Sequence, residues 1–326
     1  MDYSKLISKV FEYDRVTKRI VTRRNNRYVL PAWLMFDTSD VPTGVFTVAA
    51  AGAATRPVGW KQPFTSLNGL DAGFGQPLEV KYLLLSDSSV GLSGANYEVS
   101  LFEMGMTRRF MNRACHVRTI FGDAKYPGRL KESFMFWSQH QVQAQFNAIT
   151  GGARNLRAYL AGAQYYPWVP QPKESRDKVV EYLGKWKKRQ ESVWPFWLTT
   201  EVPVTLAAGQ EASFQMLVGQ DAHFLASSVT AVSDGNFEWD LLEVKTGQQL
   251  SSGRITFNNS LGDARLPYVL PVPYLVPAGF RLRLTVKSLS GLATNRIFFT
   301  IQGRRINGPL VDVPRILCNT DVGEPQ

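Results

Sequence analysis

The stretch "ANYEVSLFE", Ala95 to Glu103, returns later in the same chain as "GNFEWDLLE", Gly235 to Glu243. Asn96 and Asn236 are 140 positions apart, and the same spacing carries Glu98 to Glu238, Leu101 to Leu241 and Glu103 to Glu243. It also carries "GDAKYP" (Gly122 to Pro127) to "GDARLP" (Gly262 to Pro267), and Asn155 to Asn295. Upstream, with gaps, "PAWL" at Pro31 to Leu34 answers "PFWL" at Pro195 to Leu198, and "KVFEY" at Lys9 to Tyr13 answers "KVVEY" at Lys178 to Tyr182. A period of this length is that of a domain rather than a short solenoid repeat, so it predicts two duplicated domains. Within each copy the residues alternate: Tyr97, Val99 and Leu101 share one face of a strand, as do Phe237, Trp239 and Leu241.

Alternation extends to "VQAQFNA" from Val142 and "FRLRLTV" from Phe280. Further strand candidates are "EVKYLLL" from Glu79, "ASFQMLV" from Ala212 and "IFFTIQG" from Ile297. They are short, rich in aromatic and branched residues, and separated by Gly, Pro, Asn, Asp and Ser, the pattern of an all-β sandwich or barrel. The expected fold is therefore all-β: two duplicated β-sandwich, jelly-roll-like domains, each preceded by a short basic helix, with extended N- and C-terminal arms. The divisions are a basic N-terminal helix or arm (1–27), a first sandwich (28–166), a Pro-rich linker and basic helix (167–192), a second sandwich (193–305) and a C-terminal arm (306–326). In the first helix Leu6, Ile7, Val10 and Phe11 form an apolar stripe; in the second, Val179, Val180, Leu183 and Trp186 do, with Ser175 as N-cap. Trp33 and Trp197 are expected at the entrance to each sandwich, each packed against its own domain. Pro309 and Pro314 argue for an extended tail.

With 326 residues, 44% hydrophobic and 12% aromatic, the chain can fill two compact cores. Cys115 and Cys318 fit neither a disulfide framework nor a metal site and read as free thiols. The charged N-terminus lacks the apolar core of a secretory signal, and no run is long enough to span a bilayer, so membrane insertion is not expected. The net charge of +10 is concentrated: residues 1–27 hold eight Lys/Arg against three acids and residues 173–191 hold seven against four, while the rest is nearly balanced. Arg15, Lys18, Arg19, Arg23, Arg24 and Arg27, with Lys185, Lys187, Lys188 and Arg189, are the candidate contacts to an acidic partner. Such a run can also neutralise phosphates, so non-specific contact with packaged nucleic acid stays open beside an acidic protein neighbour or simple solvation. The first copy carries an insertion around "RPVGWKQPFTSLNGLDAGFGQPL", where Trp60 and Phe64 are candidate loop contacts, including to a glycan.

Reactive constellations are rejected on spacing. His116, His140 and His223 lack metal-ligand spacing. Cys115 and His116, adjacent on a strand, point to opposite faces and do not make a nucleophile pair. Glu98 and Glu103 are five apart and leave opposite faces as well. Asp123 and Asp263 read as turn formers that bond nearby amides. No catalytic residue, metal or cofactor is expected.

The runs "PFWLTTEVPVTLAAGQEASFQM", "DAHFLASSVTAVSDGNFEWDLLE", "LPYVLPVPYLVPAGFRLRLTVKSLS" and "NRIFFTIQGRR" resemble virion structural proteins of tailed bacteriophages, built as β-sandwich or jelly-roll domains. The resemblance covers most of 195–305 and, through the repeat, much of 29–165. It implies a non-enzymatic virion component, assembled in the host cytoplasm as part of a capsid, neck or collar, whose partners are other copies of itself and neighbouring virion proteins. A double jelly-roll major capsid protein of a tailless phage is the alternative within that class, and a carbohydrate- or receptor-binding module is the alternative outside it.

Overall fold

The structure, a computed structural model, describes residues 11–14, 19–24, 27–38, 45–48, 50, 54–59, 77–87, 95–104, 108–137, 141–149, 151, 153–165, 173–200, 204–250, 252–257, 261–292, 295–314 and 316. The first half contains β1 (Phe11–Asp14), β2 (Arg19–Arg24), β3 (Arg27–Asp37), β4 (Phe46–Val48), β5 (Ala54–Thr55), β6 (Val58–Gly59), β7 (Leu78–Asp87), β8 (Tyr97–Glu103), β9 (Arg108–Arg109), β10 (Cys115–His116), α1 (Val117–Ile120), β11 (Gly128–Phe136), β12 (Val142–Ala148) and β13 (Arg154–Tyr165). Helix α2 (Lys173–Ser192) leads into β14 (Val193–Thr199), β15 (Val204–Leu206), β16 (Glu211–Leu217), β17 (Ala222–Ser233), β18 (Phe237–Glu243), β19 (Gln248–Gln249), β20 (Ile255–Thr256), β21 (Tyr268–Val276), β22 (Arg281–Ser288) and β23 (Asn295–Asn307), and then a 3₁₀ turn (Leu310–Asp312).

The chain is mostly β, in several antiparallel sheets. The second half has two: β14-β23-β17-β21, with β15 on β23, and β16-β22-β18-β19, with β20 on β18. One core lies between them, drawing Phe224 and Phe299 from the first sheet and Phe237, Trp239 and Leu284 from the second, which is sandwich packing. The first half repeats the scheme with β3-β13-β7-β11 and β6-β12-β8-β10, but here Phe36↔Gly59 and Asp37↔Val58 join the two sheets along β3 and β6.

The two halves share a register. Phe146 pairs with Val99 on β12–β8, and Val286 with Trp239 on β22–β18, each member displaced by 140. Leu84 bridges Gly122 in parallel, and Thr230 bridges Gly262. Even the irregularities match: β13–β7 is bulged between Ala161 and Gly162, and the register of β17 on β23 shifts between Ala226 and Ser228. In β8 and β18 alternate residues are buried from the first to the last, as the sequence alternation requires.

Three expectations are corrected. Phe11–Asp14 is a strand, hydrogen-bonded in hairpin fashion to Arg19–Arg24, which in turn pairs with β3; the first element is therefore not a helix through Tyr13. Ile20, Val21 and Thr22 supply the β-branched character that favours strand, and Arg24 pairs with Arg27. Second, α2 begins at Lys173, so Ser175 lies inside it rather than at its cap. Third, the tail is not a free arm from 306 onward: β23 runs to Asn307, and Val313 is buried against Val193 and Ile306, with Ile316 packed beside them.

Candidate functional site

The molecule's most elaborate set of contacts is the junction between its halves, and β14 makes it. All seven residues of this strand are buried. Phe196 and Leu198 enter the second core, whereas Trp194 and Trp197 enter the first, so a strand covered on both faces reads as the continuous apolar run "VWPFWL". Trp197 thus departs from the expectation that it packs against its own domain. Its indole meets Phe110 at 6.5 Å between ring centroids, its backbone N–H donates to Phe110 O at 2.8 Å, and its backbone carbonyl accepts from Asn112 N at 3.3 Å. Asn112 closes the seam: Oδ1 accepts from Thr199 N at 2.8 Å and Nδ2 donates to Thr199 O at 2.9 Å. The side chain of Trp33 lies outside the described residues; its backbone pairs with Ala161, in the place where Trp197 pairs with Gln302.

A second patch of the junction is polar. Thr119, on α1, accepts through its carbonyl from Thr230 Oγ1 at 3.0 Å and Gln302 Nε2 at 3.1 Å, while its hydroxyl pairs with Thr300 Oγ1 at 3.1 Å. Buried hydroxyls are tolerated here because each finds a partner. A third patch is ionic: Glu132 in β11, 5% exposed, is held by Arg189 of α2 and by Arg304 of β23, the latter at 2.7 Å. Leu183 and Trp186 of the same helix cover Met135 and Tyr165.

The sequence candidates are placed as follows. Arg189 belongs to the junction, with its side chain 9% exposed, and does not face outward. Lys185, Lys187 and Lys188 are exposed, Lys185 making an i,i+4 pair with Glu181 at 2.7 Å. Arg19, Arg23 and Arg24 lie on β2 and Arg27 on β3. Arg15, Lys18, Trp60, Phe64, His140 and Cys318 lie outside the described residues.

Cys115 and His116 leave opposite sides of the chain. Cys115 Sγ sits 3.7 Å from both Val99 O and Met111 Sδ, and burial pushes its thiol up to about 12. His116 leaves the other side of the chain, where its ring lies 4.6 Å from Phe298. Arg118 N donates to its Nδ1 at 3.3 Å, so Nε2 carries the hydrogen and faces Asn96 Oδ1 at 3.4 Å. Burial, reinforced by Arg118 and Arg296, pushes this imidazole down to about 3. His223 Nδ1 accepts from Ala278 N and Nε2 donates to Gly308 O, both at 3.0 Å. Asp123 accepts from Lys125 N and Tyr126 N, and Asp263 from Arg265 N, as turn formers do. Glu243 likewise accepts from Lys245 N at 2.7 Å and Thr246 N at 3.2 Å. Among the described residues no helix is long and apolar enough to cross a membrane.

What the sequence reading missed is β21. This strand lies at a sheet edge and exposes Tyr268, Val269 and Val272, the last 75% exposed, with Leu266 exposed just before it. Its signal was present in "LPYVLPVPYLV", an apolar run whose prolines bar it from a sheet interior.

No family model matches the chain, and no curated protein does. Among solved structures, one of the infectious bursal disease virus Gx strain aligns at 10% identity over 87% of this chain and 72% of its own, with a TM-score of 0.23. The insecticidal delta-endotoxin Cry8Ea1 of Bacillus thuringiensis aligns at 10% identity over 94% and 56%, with a TM-score of 0.21. The VP2 subviral particle of infectious bursal disease virus aligns at 7% identity over 93% and 77%, with a TM-score of 0.19. At these scores none of the three defines the fold or the function of this chain.

Proposed function

We propose that this chain is a non-enzymatic virion structural protein of a bacteriophage, one that assembles with copies of itself and with neighbouring virion proteins in a capsid, neck or collar. The observation that carries the assembly part is the apolar edge strand β21, which exposes Tyr268, Val269 and Val272 with Leu266 just before it. Exposed apolar surface of this kind marks an interaction site. The virion part rests on the sequence resemblance. In this reading each half is a jelly-roll-like sandwich, 28–166 and 193–305, related by duplication. Lys185, Lys187 and Lys188, with the arginines of β2, meet an acidic neighbour or packaged nucleic acid.

The double jelly-roll major capsid protein is the second reading, favoured by the common register of the two halves. Mass spectrometry of purified particles tests both: a chain present in many copies agrees with the proposal, the most abundant protein agrees with the second reading, and absence from particles overturns both. The basic contacts are tested by replacing Arg19, Arg23, Arg24, Lys187 and Lys188 with Gln. Reduced incorporation is expected, and incorporation with unchanged salt sensitivity would remove them as docking residues.

A further inference from the structure

The junction within one chain also describes a surface that the chain leaves uncovered. Several first-half residues at the junction have counterparts 140 positions later that are more exposed. Phe110, 3% exposed under Trp197, corresponds to Leu250, 38% exposed; both donate their backbone N–H to the equivalent strand, at Leu101 and Leu241. Glu132, clamped by two arginines, corresponds to Val272.

The covering face can be followed in the same way, from the second half back to the first. Thr230 and Thr300 pair with each other across β17–β23, as Leu84 and Tyr159 do across β7–β13. Gln302 corresponds by register to Ala161, and Arg304 to Ala163. The two sides change together. Where the internal junction sets Arg304 on Glu132, the corresponding positions are Ala163, which packs beside Leu183 and Trp186 of α2, and the exposed Val272. Where it sets Thr230 and Thr300 under α1, the free face offers half-buried Leu84 and Tyr159. At these positions hydroxyl and charged groups of the junction give way to apolar ones: Thr230 and Thr300 to Leu84 and Tyr159, and Glu132 to Val272.

We infer that the occupant of the β21 face is a second copy of this chain, which docks the outer face of its first half, around Leu84 and Tyr159, onto Leu250 and Val272, as the second half docks onto the first within one molecule. The contact is heterologous, so successive copies join head to tail into a closed ring or an open array. This rests on the assembly reading above and names its interface.

The test is sedimentation velocity on the full chain over a wide concentration range, with Val272→Glu and Tyr159→Glu variants and their mixture. Val272 is so exposed that its substitution leaves thermal unfolding unchanged; Tyr159→Thr, which installs the residue found at Thr300, serves if the glutamate at 159 disturbs folding. Wild-type protein is expected to self-associate, and each variant to weaken association at least about tenfold, since each places an unpaired charge or polar group against apolar surface. Mixing the two variants then forms a heterodimer that grows no further, because each retains the face that the other has lost. Wild-type self-association with undiminished association of both variants overturns this interface while leaving assembly intact. Variants that fail to pair on mixing overturn the head-to-tail geometry. A wild-type chain that stays monomeric throughout overturns the assembly reading as well.

Discussion

Arg304 Nε stands 2.7 Å from Glu132 Oε2 and ties strand β23 of the second half to edge strand β11 of the first. Arg189 reaches the other carboxylate oxygen from α2, so one buried acid serves two cations. Removing that acid leaves Arg189 buried without its counter-charge. Glu132→Ala should destabilise by about 3–5 kcal/mol in urea unfolding. Replacing all three residues by apolar ones of similar volume should recover most of that loss, because no charge then has to leave water. A single variant with wild-type stability would show that the cluster is solvated.

Trp197→Ala should cost about 3–5 kcal/mol, the range for deleting a large buried aromatic. The distribution of the loss is as informative as its size. The indole belongs to the second half's strand but fills the first half's core, so the variant should separate one calorimetric transition into two. An unchanged single transition would place the indole outside the core.

Gly162 and Gly303 occupy corresponding positions beside the two bulges, and in each a Cβ would fall on a backbone carbonyl: 1.9 Å from Glu79 O and 2.2 Å from Leu225 O. Backbone cannot move aside as a flexible side chain can. Gly303→Ala and Gly162→Ala should therefore each lower stability by about 1–3 kcal/mol or more. If either variant melts at the wild-type temperature, the close approach does not exist.

His116 gives a pH dependence of definite sign. Its folded-state value, about 3, lies below its ordinary 6.5, so between these limits the unfolded chain binds a proton that the folded chain refuses. Stability should fall with falling pH across that window by up to about 1.4 kcal/mol per pH unit. His116→Gln should remove one proton from the acid-unfolding slope. Equal slopes for the variant and the wild type would mean that the imidazole titrates freely in the fold.

Alternation made β8, β12, β18 and β22 legible, since the side-chain period of a strand is two and each element reports its own buried face. The Gly-Asp-Ala turns were legible for a similar reason: an Asp bonds amides two and three residues away. The N-terminal segment was misread because "SKLISKVFEY" carries a helical stripe of its own, while the hairpin that claims Phe11–Asp14 depends on pairing with β2. The tail was misread because two prolines do suggest extended chain, whereas Val313 is held by Val193, a residue more than a hundred positions away.

The all-β character and the 140-residue correspondence between the halves are legible in the sequence, because alternation and turn chemistry are properties of neighbouring residues and the correspondence compares one such local pattern with another. Which faces of the two halves are covered is a property of the tertiary arrangement. Phe110 and Leu250 stand at the same place in similar local patterns, and so do Glu132 and Val272. They differ in what folds over them: a second half follows the first in the chain, and burial depends on that long-range neighbour rather than on the residues alongside.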